Sequence, residues 1–340
     1  MLSFRIVRIM GIPIELHITF ILLLILVYYF WGLDGLILYI FLFLSVVIHE
    51  LAHSYVAKKY GVHIEKILLL PIGGMAMMDR IPREGELKIA IAGPVVSILL
   101  GIVLILLSNF IEAPVLHIEG IDYPLLTTVG ILNIILGVFN LFPAFPMDGG
   151  RILRALLASK MSYLKATRIA SIIGQFLSFI LLLLGILSLN VILILIALFI
   201  YYGASKEYHV LVTEDVFSKI KVKDIMTTKI VAVSPQDTVK DLMDTMFKYR
   251  YMGYPVVEKG KLVGSVSFND ITHVSEKVLV RDIMKPPVTV SEDKTLKDVI
   301  PGLETSDRVY VLDKNRRLKG IISKTDVLRI LKILEFRKDS

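Results

Sequence analysis

Residues 18–30 carry no charge, and neither do residues 177–202. A helix crossing the hydrocarbon core of a bilayer needs about 20 apolar residues, and in lipid only helices and closed barrels satisfy their own backbone. Six segments meet or approach that length: 15–31, 35–57, 87–109, 125–142, 169–188 and 190–205. The chain as a whole is 55% hydrophobic and 20% charged, against about 45–50% and 25% in soluble domains. From Lys206 onward charged residues recur every few positions. The sequence therefore predicts a polytopic α-helical membrane domain of about six transmembrane helices over 1–208 and a soluble α/β domain over 209–340.

The formal net charge of +7 is placed as a membrane protein places it, which argues against a nucleic-acid partner. Arg5 and Arg8, then Lys58, Lys59, Lys66, Arg80, Arg83 and Lys88, then Arg151, Arg154, Lys160, Lys165 and Arg168 fall on one side of six spans. The loops around Asp34, over 112–124 and near Leu189 contain no Lys or Arg. The positive-inside rule then predicts a multi-pass protein of the cell membrane with both termini and the soluble domain cytoplasmic. No small-x-small cleavage pattern follows Phe30, so the first apolar run reads as a retained helix. There is no cysteine, which excludes disulfides and thiolate-bound metal and fits a reducing compartment.

His49-Glu50-Leu51-Ala52-His53 lies inside the second apolar segment. Four residues apart on a helix, His49 and His53 share a face and can reach one metal, with Glu50 beside them to act on a metal-bound water. Residues 36–48 are uncharged, so at 1.5 Å per residue the motif sits roughly 20 Å into a core of about 30 Å, nearer the cytoplasmic side. Ionisable groups at such depth are expensive and mark function. A third ligand must come from elsewhere. Asp148, in a proline- and glycine-broken stretch after the fourth segment, suits that role and suits equally the cap of a following helix. Residues 63–70 and 71–78 favour a strand or hairpin near the membrane surface, bordering either a cavity or an ordinary interfacial loop. His17, His63, His117, His209 and His273 do not join the motif by spacing.

His49–His53 in the second span, Ala92-Gly93-Pro94 in the third, and Asn140, Pro143 and Asp148-Gly149 after the fourth occur together and in that order. Over about 200 residues this resembles the site-2 protease family of intramembrane zinc metalloproteases. The resemblance implies one catalytic Zn2+ held by His49, His53 and Asp148, Glu50 as general base, and Asn140 stabilising the oxyanion or positioning substrate. It also implies Gly73 and Gly74 in the strand that binds substrate, and a substrate that is the membrane-spanning segment of another protein. A helix hides its peptide bonds, so the substrate must unwind, and an extended stretch can pair with the strand near 72–77.

The soluble part repeats itself. Val222-Lys223-Asp224-Ile225-Met226 returns as Val280-Arg281-Asp282-Ile283-Met284, and Gly264-Ser265-Val266-Ser267-Phe268-Asn269-Asp270 as Gly320-Ile321-Ile322-Ser323-Lys324-Thr325-Asp326. Each copy (222–277 and 280–335) reads strand, helix, strand, strand, helix, opening on 230–233, and is too small to bury a core without its twin. These motifs resemble a tandem pair of CBS domains. The resemblance implies an adenine nucleotide as regulator, contacted by Ser267 with Asp270 and by Ser323 with Asp326. It equally admits a pure dimerising module forming a homodimer, since Ser-x-x-Asp also starts helices. Arg308 to Leu312 lacks the Gly-x-Pro of the first copy, which weakens one of the two clefts. Other classes compete with the protease: a CBS-regulated metal-ion transporter or channel, and a non-catalytic module that holds membrane partners. Glu50 separates them, because hydrolysis needs a base where transport needs only ligands.

Overall fold

β-Branched residues interspersed with Arg5 and Arg8 at the amino terminus build a hairpin. In the computed structural model, which describes residues 3–71, 73–79 and 81–336, β1 (Ser3–Ile9) pairs antiparallel with β2 (Ile12–His17). Met10 and Gly11 both have positive φ, as a two-residue turn matched to strand twist requires. Ile72 and Arg80, counted above in the strand segment and among the loop cations, lie outside the described residues. The chain divides into two units, one through Val210 and the other from Leu211.

Helix α1 (Ile18–Lys59) is broken at Gly32, whose φ of 62° is non-helical. Phe20 meets Phe43 edge-on at 4.3 Å, and Trp31 stacks on Tyr39 at 5.9 Å. The two halves therefore run out and back; the expected segment 35–57 lies within this helix, and 15–31 does so from Ile18 onward, its first three residues belonging to β2. The return brings β3 (Ile64–Leu70) alongside β2 in parallel, and β4 (Gly73–Met78) closes a sheet of order β1-β2-β3-β4. Ile12, Ile14, Ile67 and Leu69 of the sheet pack with Phe43, Val47 and Ala57 of α1 and with Ile89.

Then follow α2 (Glu86–Leu107), a hairpin of β5 (Val115–Ile118) and β6 (Ile121–Pro124), α3 (Leu125–Asn140), α4 (Asp148–Ala158), α5 (Tyr163–Leu187) and α6 (Val191–Lys219). By length and composition α1, α2, α5 and α6 are able to cross a membrane, while α3 has 16 residues. The β5–β6 hairpin sits at the Gly32 break in α1: the His117 amide donates to Asp34 (2.8 Å) and the Trp31 indole to Glu119 (2.8 Å). Two expected boundaries differ. Helix α5 starts before 169 and α6 runs past 205, because Lys and Glu propagate a helix about as well as Leu, so hydropathy ends before the helix does.

In the second unit, α7 (Val222–Ile225), α8 (Val239–Tyr249), β7 (Gly253–Glu258), β8 (Lys261–Ser267) and α9 (Phe268–Ile271) make one copy. The other is α10 (Val280–Ile283), β9 (Thr289–Ser291), α11 (Leu296–Thr305), β10 (Arg308–Leu312), β11 (Leu318–Ser323) and α12 (Lys324–Phe336). The strand expected at 230–233 is reduced to a bridge between Val233 and Val256. The copies exchange their first turns. Val222 is buried with Leu296, Val299 and Val311 of the second copy, and Val280 with Leu242 and Val256 of the first. The thioether of Met226 lies against Gly320 and that of Met284 against Gly264, where a Cβ would meet sulfur at 2.5–2.6 Å. The recurring Asp-Ile-Met and glycine are thus the two sides of one contact made twice.

Candidate active site

Three helices converge on the His-Glu-x-x-His segment. The buried rings of His49 and His53 are turned by α2, whose Ile89, Gly93 and Ser97 recur every fourth residue and so share one face. Ser97 Oγ lies 2.9 Å from His49 Nδ1, and the Ile89 carbonyl 2.6 Å from His53 Nδ1. A carbonyl only accepts, so His53 carries its proton on Nδ1 and directs the Nε2 lone pair inward. Between those residues, Gly93 leaves no room for a side chain: a Cβ there would stand 2.2 Å from His53 Nε2 and 2.6 Å from His49 Nε2.

The third group arrives with α4. Asp148 is its first residue, and the turn before it is packed so closely that a Cβ on Gly149 would stand 2.2 Å from the Phe142 carbonyl. His53 Nε2 lies 3.0 Å from His49 Nε2 and 3.0 Å from Asp148 Oδ2, and His49 Nε2 lies 3.3 Å from Asp148 Oδ2. Tetrahedral zinc with bonds of about 2.0–2.1 Å separates its ligand atoms by about 3.3 Å. Two imidazole nitrogens and a carboxylate oxygen brought this close, with a lone pair pointing at an anion, are the donor set of a divalent cation. Zinc fits these residues. Among the described residues this is the one cluster of three ligating side chains.

A cavity of about 450 Å³ opens beside the triad, lined by Glu50, Gly73, Gly74, Asn140, Met147, Arg151 and Phe199 among others. Gly74 on β4 lies against Glu50, where a Cβ would stand 2.9 Å from its Cγ. Strand β4 is the edge of its sheet. The Asn140 amide lines the same cavity and spends one donor on Leu136 O (2.9 Å), leaving its second N–H. All seven residues expected in this site (His49, Glu50, Gly73, Gly74, His53, Asn140 and Asp148) come together, whereas His17 pairs with Thr19 and His117 with Asp122. Sequence reasoning passed over Ser97 and the Ile89 carbonyl as ring-orienting groups, and over the steric role of Gly93. The four-residue period from Ile89 through Gly93 to Ser97 was the available signal.

In the second unit a cleft of about 280 Å³ is lined by Ser267, Asp270, Lys285, Arg308, Tyr310 and Lys324 among others. Ser267 Oγ donates to Asp270 (2.6 Å) and Ser323 Oγ to Asp326 (2.6 Å), so both pairs begin helices. Ser323 and Asp326 do not line this cleft. Burial pushes the Asp270 carboxyl up, but hydrogen bonds from Lys285 and Ser267 outweigh it and hold the group below its ordinary range. Burial pushes the Tyr310 phenol up to about 12.

The sequence matches the family model described as Peptidase family M50 over residues 37–120 and 117–184, and that of the CBS domain over 222–277 and 280–333. A zinc metalloprotease of Methanocaldococcus jannaschii is 54% identical over 99% of this chain and 98% of its own. The stage IV sporulation protein FB of Bacillus subtilis is 31% identical over 38% of this chain and 43% of its own. A solved site-2 protease from Methanocaldococcus jannaschii shows 60% identity over 61% of this chain and 95% of its own, with a TM-score of 0.49. With more than half its residues shared over nearly the full length of a zinc metalloprotease, this multi-pass chain belongs to peptidase family M50, the site-2 protease type of zinc metallopeptidase, and carries a tandem CBS pair.

Proposed function

We propose that this protein hydrolyses a peptide bond in or near the membrane-spanning segment of another protein, with residues 1–208 as the protease and 209–340 as a cytoplasmic regulatory CBS pair. The observation that carries the reading is the ligand triangle of His49, His53 and Asp148 beside Glu50 and an edge strand, among helices apolar enough to cross a bilayer. His49, His53 and Asp148 hold the metal. Bound there, zinc supplies a Lewis acid that polarises the scissile carbonyl and lowers the pKa of water. Glu50 takes a proton from the attacking water as its oxygen bonds to the carbonyl carbon, then hands it to the amine nitrogen as the C–N bond breaks. The remaining N–H of Asn140 is available to the oxygen that gains charge. An unwound substrate strand adds to the free edge of β4, with Gly73 and Gly74 letting it approach Glu50.

The cleft holding Ser267, Asp270, Lys285 and Arg308 supports an adenine nucleotide as regulator, with cations for phosphate and a carboxylate for ribose hydroxyls. Because Ser323 and Asp326 lie outside it, one nucleotide per chain is the reading for this cleft. Regulation requires the nucleotide to favour one state of the enzyme. Cleavage rates equal across saturating ATP, ADP and AMP would remove it.

The deciding experiment is Glu50→Gln. Proteolysis predicts retained zinc and no cleavage, read as membrane proteins cut by the wild type and spared by the variant. A metal transporter predicts altered ion uptake and no change in any product.

A further inference from the structure

We propose that Arg154 is a positioning residue for the active site: it holds helix α4, and with it Asp148, at the distance from α2 that closes the ligand triangle. The proposal rests on the assignment of Asp148 as a ligand. Arg154 is 6% exposed. Its Nε (2.8 Å) and Nη2 donate to Glu86 Oε1 at the start of α2, and Nη1 donates to Glu207 on α6 (2.5 Å). The Tyr163 hydroxyl, at the start of α5, donates to the same Glu86 oxygen (3.2 Å). A guanidinium fork thus ties α4 to α2 and α6, which an ammonium cannot do.

The same guanidinium stacks over Phe145 at 4.9 Å and over Tyr163 at 5.0 Å. Phe145 belongs to the turn that delivers Asp148, and a Cβ on Gly150 would stand 2.5 Å from the Phe145 amide nitrogen. Arg154 therefore grips α4 six residues beyond the ligand and grips the turn before it as well. Helix α2 is the element that orients both histidines, through Ser97 and Ile89. The histidines stand on α1 with their rings fixed against α2, so a shift of α4 relative to α2 carries Asp148 away from the rings. These charges take no direct part in hydrolysis, since none of Arg154, Glu86 and Glu207 lines the catalytic cavity. Partners that fix ligand geometry typically change metal affinity 10–100-fold when lost.

The test measures zinc affinity of the full-length protein in nanodiscs by chelator competition, alongside thermal melting. Arg154→Met is expected to weaken zinc binding about 10–100-fold and to lower stability, because Glu86 is left buried without its counter-charge. The Glu86→Gln/Arg154→Met pair removes that buried charge, so it should regain melting temperature but not zinc affinity. Arg154→Lys keeps the charge without the fork and should fold, with an intermediate loss of affinity. In an Asp148→Ala background, Arg154→Met should leave the residual zinc affinity unchanged, as a shared function demands of a double-mutant cycle. Zinc affinity that recovers together with stability, or an equal penalty in the Asp148→Ala background, would overturn the proposal. If Asp148→Ala alone leaves zinc binding intact, the ligand assignment itself falls, and this proposal with it.

Discussion

Gly93→Ala adds one methyl group where the site has no space. The new Cβ would start 2.2 Å from His53 Nε2, while ordinary contact begins at 3.4 Å, so the ring must retreat by about 1.2 Å. Ligand distances in working metal sites hold within about 0.2 Å. The ring cannot swing freely, since Nδ1 is held by Ile89 O at 2.6 Å, and moving it gives up that hydrogen bond. Either His53 leaves the metal or α2 moves away from α1. Losing one of three ligands should weaken zinc binding by at least the ~100-fold upper range seen for outer-shell partners, about 2.8 kcal/mol. The fold itself should not suffer from propensity, because alanine is up to about 1 kcal/mol better than glycine within a helix. The assay is zinc retention of the purified full-length protein against graded chelator, with melting temperature as the control. Zinc affinity within about threefold of wild type at unchanged melting temperature would show that α2 does not pack on the ligands as described.

Gly74→Val is expected to abolish cleavage while zinc stays bound, because its Cβ starts 2.9 Å from Glu50 Cγ and displaces the base rather than a ligand; zinc content and turnover measured together check this. The CBS unit should lose stability in acid. Asp241, Asp270 and Asp298 have folded pKa values below the ordinary 3.8, so between the folded and unfolded values the unfolded chain binds more protons. Their contribution is complete above about pH 5 and fades as the pH falls through the unfolded and then the folded values. Melting followed from pH 6 to 2 should show this, and the slope should flatten in an Asp241→Asn/Asp270→Asn/Asp298→Asn variant.

Much of this protein is set by local chemistry that a linear reading captures. Uncharged runs long enough for a bilayer, two histidines one helical turn apart, and a motif copied in the soluble part each carry their meaning within a few residues. The membrane helices, the His-Glu-x-x-His face and the twinned CBS copies therefore follow from pattern alone. What tertiary structure decided is everything that depends on distance between segments. Asp148 suited a cap and a ligand equally, and it takes the first position of α4 while lying 3.0 Å from His53. Gly93 is a small residue in an apolar helix until two imidazoles are found against it. The amino-terminal residues carry no apolar run, yet they supply two strands of the sheet whose edge is β4. Arg154 counts as one loop cation among many, and only packing turns it into the buried fork between α2 and α6. Side chains from positions 49, 53 and 148 reach one metal-sized volume because helices return on themselves, and no spacing in the chain encodes that closure.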